Sequence, residues 1–241
     1  MKLLTFLWAN LLFIFSAQSQ TLSWAKQLGG TSRDVGYSIA VDGLGNVYTT
    51  GAFKGTADFD PGPGVADLTS AGEEDIFISK LNAAGNLIWV KQFSGSSIDI
   101  GRGIAADAAG NVYITGSFRG ITDFDPGPAT QKFGSKGGWD IFIAKLDPSG
   151  NLLWATQYGD ISDDYGNAIT VDAAGNVYTT GSFGGTIDFD PGILVFNLTA
   201  KPHDIFVSKL NSSGKLVWAK NWSTDFTVQG NGIAVDAAGN V

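Results

Sequence analysis

The stretch GRGIAADAAGNVYITGSF, residues 101–118, decides the fold of this chain. Within it, Asp107 opens a short polar turn and Gly110 follows three residues later. An aspartate side chain can hydrogen-bond the backbone of a turn, and glycine can adopt the positive φ that a hairpin loop demands. The stretch therefore predicts a β-hairpin with strands over residues 101–107 and 112–118.

A second hairpin signal lies further along the same unit. Residues 140–146 and 152–158 are rich in the β-branched and aromatic side chains that strands prefer, and a polar turn separates them. Two hairpins make four strands, and a four-stranded sheet in each repeat is the blade of a β-propeller. The first strand is rich in small residues, which suit the crowded centre of a propeller. It is therefore expected to be innermost. The strand that carries Trp154 is then expected outermost, with its indole covering the gap between neighbouring blades.

The whole unit recurs along the chain. Four tryptophans are spaced by 65, 65 and 64 residues, and the strings Gly-Asn-Val-Tyr, Asp-Phe-Asp-Pro-Gly and Asp-Ile-Phe recur with the same period. The sequence thus predicts an all-β fold, a β-propeller of four-stranded 65-residue blades. The tryptophans that mark the units are Trp24, Trp89, Trp154 and Trp218.

The number of units predicts an incomplete arc. Residues 20–241 hold about three and a half blades, whereas closed propellers use roughly 4–8. Residues 21–28 are expected to supply a lone tryptophan strand, and the last unit stops at Val241. We therefore expect a partial propeller over residues 20–241 that is truncated at its C-terminus, with further blades or domains beyond it.

These units resemble the bacterial β-propeller repeats known as SBBP repeats. The matching residues are Gly-x-x-Ile-Ala-Val-Asp from Gly36 to Asp42, Gly-Asn-Val-Tyr-x-Thr-Gly from Gly45 to Gly51, and the Trp-Ala-Lys-Gln segment that begins at Trp24. The resemblance covers essentially all of residues 21–241. It implies a propeller in an exported or cell-surface protein, frequently a large one with several domains. It implies no single activity, because many functions share this fold.

The first residues predict export. Lys2 precedes an apolar run from Leu3 to Phe15, and small polar residues follow. This is the layout of a secretory signal peptide, with cleavage expected after Ser19. The apolar run is short against the roughly 20 residues that span a bilayer. The mature chain is thus expected to be extracellular or at the cell surface, with the periplasm left open, and not to insert into a membrane.

Composition excludes several classes of protein. The net charge of −8 disfavours a nucleic-acid partner, since an acidic surface repels phosphates. The absence of cysteine excludes disulfides, cysteine-ligated metals and thiol catalysis. His203 is the only histidine and lies in a variable segment, so no catalytic triad or zinc site can be assembled from recognisable partners. We therefore expect no enzymatic activity from this chain.

The Asp-Phe-Asp-Pro-Gly string is the candidate metal site. Alternate aspartates on a tight turn can aim two carboxylates at one calcium ion, although a proline stands where calcium loops place a third ligand. The favoured alternative is a structural turn, in which Asp60 caps, Gly62 adopts a positive φ and Phe59 is buried. No other cofactor is expected. The candidate ligands are Asp58, Asp60, Asp123, Asp125, Asp188 and Asp190.

Two further aspartate series and the tryptophans are interpreted as structural. The first aspartate series precedes a glycine by two residues at the entry to the first strand, where a ligand-facing role is the alternative to turn capping. The second opens the hairpin turns, and core packing is favoured over sugar stacking for the tryptophans. The two series are Asp34, Asp99 and Asp164, and Asp42, Asp107, Asp172 and Asp236.

One part of every unit varies. The residues between the Asp-Phe-Asp-Pro-Gly and Asp-Ile-Phe strings differ among the copies at 63–74, 128–139 and 193–203. Variable loops on a constant scaffold are where a binding surface is built. The sequence favours a non-catalytic exported module that binds a protein or glycan. The alternatives are a structural spacer in a large surface protein, and the accessory propeller of a secreted hydrolase or lyase.

Overall fold

The chain is described by a computed structural model. It covers residues 22–223 and 225–241, so the predicted signal peptide over residues 1–19 lies outside the described residues. All regular secondary structure in the described residues is β-strand. Accordingly, no helix in these two ranges could cross a membrane.

Three complete blades are present, each with four principal antiparallel strands joined in chain order. Blade 1 contains β2 (Asp34–Val41), β3 (Val47–Phe53), β6 (Asp75–Leu81) and β7 (Leu87–Gly95). Blade 2 contains β8 (Asp99–Ala106), β9 (Val112–Phe118), β12 (Asp140–Leu146) and β13 (Leu152–Tyr158). Blade 3 contains β14 (Tyr165–Val171), β15 (Val177–Asp188), β16 (Asn197–Leu210) and β17 (Leu216–Trp222). The predicted four-stranded blade is confirmed, and three of the four strands quoted for the second unit have the predicted bounds.

The first strand of each blade is innermost, as predicted. Strand β8 lies against both β2 and β14, so the first strands of successive blades meet. The approach is close at Gly103, where an added Cβ would lie 3.1 Å from the Cα of Ala168 in the next blade. Small residues in these strands are thus required by the convergence of the blades.

A small extra hairpin in each repeat was not predicted. It is formed by β4 (Thr56–Asp58) with β5 (Asp67–Thr69), and by β10 (Ile121–Asp123) with β11 (Lys132–Gly134). In blade 3 it is continuous with β15 and β16. The variable segments were expected to be loops, but each contributes the second strand of this hairpin. Pairing satisfies backbone groups that a loop of this length would leave unpaired.

The extra hairpin also fastens neighbouring repeats together. Strand β10 pairs with β7 of the preceding blade, and β4 pairs with β1 (Gly29–Gly30). The prediction of a lone tryptophan strand over residues 21–28 is wrong, since residues 22–28 form no strand and β1 follows them. The equivalent strand β7 pairs with β6 of its own blade, and β6 has no counterpart before residue 22 among the described residues.

The hydrophobic core lies between the blades. One cluster joins Ile76 and Phe93 of blade 1 to Phe118 and Phe142 of blade 2, and an equivalent cluster joins blades 2 and 3. Phe124 and Phe189 of the second and third Asp-Phe-Asp-Pro-Gly strings are inserted there, and Phe124 packs within 5.3 Å of Phe93, centroid to centroid. Phe59 of the first string packs in a separate cluster of blade 1. Burial of these large rings is the main stabilising contribution to blade association.

Tryptophans close the outer end of each gap. Trp89 Nε1 donates a hydrogen bond of 3.0 Å to the carbonyl oxygen of Pro148, which lies in the next blade. Trp24 and Trp154 make the same contact with Ala83 and Ser212. The predicted covering role of the indoles is confirmed for these three repeats.

Candidate functional site

The two ends of the blades differ in how similar the repeats are to one another. Because the strands are antiparallel, the two tight turns of every blade lie at one end, which we name the turn face. The extra hairpins and the connections between blades lie at the other end, which we name the hairpin face. The repeated and the variable parts of the sequence are therefore separated in space.

The turn face is a repeated structural device. Asp107 Oδ1 accepts the backbone N–H groups of Ala109 and Asn111 at 2.9 Å, while Oδ2 accepts the Asn111 side chain and the Tyr113 hydroxyl. Burial alone raises the pKa of Asp107, but these hydrogen bonds outweigh it and hold the pKa below its ordinary value. Gly110 has a φ of 82°. The predicted role of this aspartate series as turn openers is confirmed.

The Asp-Phe-Asp-Pro-Gly strings lie on the hairpin face, where their aspartates bond the backbone. Asp58 Oδ1 accepts the N–H groups of Asp60 and Ala66 at 2.9 Å, and Asp60 Oδ1 accepts that of Gly62 at 2.8 Å. The same contacts recur for Asp123 with Asp125 and for Asp188 with Asp190. Among the described residues, no three acidic, histidine or cysteine side chains group closely enough to hold a metal ion. The calcium site stays a prediction.

One detail of the turn interpretation is wrong. Gly62 was expected to have a positive φ, but it is not among the described glycines in the left-handed region. The Asx bonds from Asp58 and Asp60 shape the loop instead, so the backbone does not need that conformation. The burial of Phe59 and the capping by Asp60 are confirmed.

Among the aspartates at the entry to the inner strands, Asp99 and Asp164 are fully buried. Asp34 is partly buried and accepts the Gly30 N–H at 2.7 Å. Asp164 accepts the N–H groups of Asp160 and Gly184, which is the capping predicted for this series. Asp99 Oδ1 likewise accepts the backbone N–H of Arg119 at 3.3 Å, and it also accepts the Thr122 hydroxyl at 3.0 Å. Asp99 Oδ2 is buried without a hydrogen-bond partner. Burial raises the pKa of Asp99 to about 7 and that of Asp164 to about 7.

A group of non-repeated residues surrounds the inner strands on the hairpin face, and we name it the rim. Each inner strand has a β-bulge between two small residues, and the bulged residue differs from repeat to repeat. The last residue of each variable segment lies beside the next inner strand, since Asp99 N–H bonds Glu74 O and Asp164 N–H bonds Trp139 O. The rim consists of Tyr37, Arg102 and Asn167 at the bulges, and Glu74, Trp139 and His203 at the segment ends.

The rim contains charged and aromatic groups in contact. Arg33 forms an ion pair of 2.6 Å with Glu74, and its other nitrogen donates to the Tyr37 hydroxyl at 3.3 Å. The guanidinium carbon of Arg102 lies 5.8 Å from the ring centroid of Tyr37 and 5.7 Å from that of Tyr165. Bulges re-aim side chains and are frequent next to functional sites. The rim thus combines a cation, an ion pair and aromatic rings at positions that differ between the repeats.

The comparisons with known proteins agree with this architecture. The model of the SBBP β-propeller repeat matches residues 23–52, 88–117 and 153–182. The chain contains SBBP β-propeller repeats. The second and third matches begin in the tryptophan strand of one blade and end within the second strand of the next, so these SBBP repeats bridge two blades. The variable segments lie outside every matched range.

Two curated proteins are similar to this SBBP-repeat chain. A WD repeat-containing protein of Acanthamoeba polyphaga mimivirus is 26% identical over 230 residues, which cover 81% of this chain. The regulatory protein FlaEY of Caulobacter vibrioides is 24% identical over 157 residues, which cover 64% of this chain. In both cases the match covers 16% of the relative. The similarity is thus to a small part of longer proteins, and one of these is also named for its repeats.

Sequence reasoning missed the rim. It singled out the repeated aspartates, whereas the rim is made of residues that do not repeat. The available signal was the position after Gly36, Gly101 and Gly166, where tyrosine, arginine and asparagine alternate in an otherwise constant strand. His203, expected in a variable loop, lies within β16 opposite Gly184.

Proposed function

We propose that this chain is a non-catalytic, exported binding module whose hairpin face engages a protein or glycan partner at the cell surface. One observation carries the proposal. The repeats agree on the turn face and in the interblade core, yet they differ at the rim and in the adjoining variable segments. A purely structural repeat has no need to diversify one face only.

The apolar tips of the extra hairpins support the same interpretation. In the third repeat the tip is Ile193, Leu194, Val195 and Phe196, and Ile193 is fully exposed. The corresponding tip of the second repeat, residues 128–131, is Pro-Ala-Thr-Gln. Exposed apolar side chains on a variable tip are typical of contact surfaces rather than of solvated loops. This tip and the rim lie at the same end of the blades.

Binding to protein and glycan arrays tests the proposal. The wild-type chain is expected to retain a defined ligand, and Tyr37→Ala at the rim is expected to weaken its retention. The matched control is Leu44→Ala, because Leu44 is also exposed but lies on the turn face. No retained ligand on either array, or equal loss in both variants, contradicts the proposal and favours a spacer.

Export is tested separately. Residues 1–19 are fused to a reporter enzyme that is active only outside the cytoplasm, and the fusion is expected to show reporter activity. Leu7→Arg is expected to abolish this activity because a charge interrupts the apolar run. Reporter activity that survives this substitution contradicts export by this segment.

A further inference from the structure

Arg102 differs from the other charged rim residue, Glu74, because its side chain contacts aromatic rings but forms no ion pair among the described residues. It occupies the bulge of β8, the middle inner strand, between Gly101 and Gly103. Its guanidinium group lies near two aromatic rings, Tyr37 on the preceding inner strand and Tyr165 on the following one. Both distances are within the range of a cation–π contact. The arginine is thus positioned by residues from three successive repeats.

No described carboxylate satisfies this arginine. Its Nε is buried and has no hydrogen-bond partner, and the one ion pair found in the described residues joins Arg33 to Glu74. Of the acidic residues beside the rim, Glu74 is bound by Arg33, and Asp163 accepts the Trp139 backbone N–H at 3.1 Å. A buried N–H group without a hydrogen-bond partner is costly unless a ligand completes it.

The chemistry of the site points to a planar anion. Guanidinium matches a carboxylate geometrically, since its N–H groups can form two parallel hydrogen bonds with the two oxygens. Because its net charge is −8, the chain as a whole repels anions. Binding of an anion at the inner strands would therefore depend on the Arg102 guanidinium itself and not on the overall charge.

The surroundings favour a sugar as the carrier of the carboxylate. Trp139 packs beside Tyr165 with ring centroids 6.4 Å apart, and Tyr37 is 40% exposed. Two tyrosine rings therefore border the cation, and Trp139 extends this aromatic surface beyond Tyr165. Rings of this kind combine an apolar surface with hydrogen-bonding groups, which suits a pyranose with its C–H faces and peripheral hydroxyls.

We propose that Arg102, Tyr37, Tyr165 and Trp139 bind an acidic sugar, with its carboxylate on the Arg102 guanidinium. This inference rests on the proposed binding function of the hairpin face and names the ligand class of the rim. The site lies at the interface of three repeats and so requires their assembly into adjoining blades.

The proposal is tested by titrating the full chain with sodium glucuronate. Binding is monitored by nuclear magnetic resonance of the tyrosine and tryptophan side chains. Saturable shifts are expected at Tyr37, Tyr165 and Trp139. Methyl glucoside, which lacks the carboxylate, is expected to bind at least about tenfold more weakly, the loss typical of one charge-assisted contact. Sodium acetate is expected to be equally weak, because it lacks the sugar ring.

Variants separate the site from general charge effects. Arg102→Gln is expected to abolish the glucuronate shifts, and Arg102→Lys to weaken binding because an ammonium cannot form the two parallel bonds. Arg119→Gln removes the same charge from an exposed position in blade 2 and is expected to bind as the wild type does. Thermal melting of each variant verifies folding, and Arg102→Lys serves if Arg102→Gln does not fold.

The remaining outcomes overturn the inference. These are shifts that persist in Arg102→Gln, glucuronate no better than methyl glucoside, acetate as good as glucuronate, or no saturable binding. If the wild type binds another array ligand independently of Arg102, the inference fails while the proposed binding function stands. If no ligand binds at all, both fail.

Discussion

At the scale of single residues, the unusual feature is a carboxylate buried between blades. Asp99 is fully buried, and one of its oxygens has no hydrogen-bond partner. Burial raises the pKa of Asp99 from an ordinary 3.8 to about 7. The folded chain therefore binds more protons than the unfolded chain between about pH 4 and 7. The stability that this group contributes is greatest at low pH and is lost as the pH rises through 7.

Replacing Asp99 by Asn is expected to remove that pH dependence in part. At pH 8 the variant should be more stable than the wild type. On acidification to pH 5 it should gain less stability than the wild type, and part of the remaining gain comes from Asp164. Melting temperatures across this range are the measurement. Asp236→Asn is the control, because hydrogen bonds from Asn240 lower the pKa of Asp236 and its effect belongs below pH 4. Parallel profiles for wild type and Asp99→Asn would contradict the assignment.

The aspartate pairs of the extra hairpins give a second prediction at this scale. Since Asp58 and Asp60 already accept backbone N–H groups, the turn is expected to be complete without a metal. Adding calcium or a chelator should leave the melting temperature unchanged. A calcium-induced rise that disappears in Asp58→Asn together with Asp60→Asn would establish the calcium site instead.

At the scale of elements, the tight turns were predictable and the extra hairpins were not. The turn sequence Asp-x-x-Gly-Asn encodes its own geometry locally, because Asp42 bonds Leu44 and Asn46 within the same turn. The pairing of β10 with β7 joins residues of different repeats, and only the assembled blades bring them together. For the same reason the rim contact of Arg102 with Tyr37 and Tyr165 had no local signal.

Two glycines of one turn test this local encoding. Gly45 has a φ of 78°, whereas Gly43 is not in the left-handed region and has open space where a Cβ would stand. Gly45→Ala is expected to destabilise the chain by about 1–2 kcal/mol. Gly43→Ala is expected to be neutral or stabilising by up to about 1 kcal/mol, and the other repeats carry alanine there. Denaturant unfolding compares them, and equal losses would refute the distinction.

At the scale of the whole molecule, the contact between blades depends on the tryptophans as well as on the core. Trp89→Phe removes the hydrogen bond to Pro148 O and is expected to cost about 1 kcal/mol. Trp218 is the matched residue of blade 3, and its indole has no hydrogen bond to a following turn in the described residues. Trp218→Phe should therefore be close to neutral in denaturant unfolding. A Trp218→Phe loss as large as that of Trp89→Phe would show that the interblade bond contributes nothing.

The arc formed by the described residues leaves two complementary faces open. Ile39 of blade 1 is 65% exposed, whereas its equivalents Ile104 and Ile169 are 5% and 7% exposed because a preceding blade covers them. At the other end Trp222 is 52% exposed, whereas its equivalents Phe93 and Tyr158 are buried. Between adjoining blades, a face like that of Trp222 packs on a face like that of Ile39. The two open faces are therefore complementary. Apolar surfaces of this kind associate because contact removes them from water.

The chain is therefore expected to self-associate with rising concentration, and Ile39→Ser should weaken that association by about tenfold or more, given the 1.5–3 kcal/mol typical of burying an isoleucine. Ile88→Ser is the control, because Ile88 and its equivalents Leu153 and Val217 are exposed in every blade. Sedimentation velocity measures the mass distribution. A wild-type chain that stays monomeric at all concentrations, or equal weakening in both variants, would show that these faces do not attract one another.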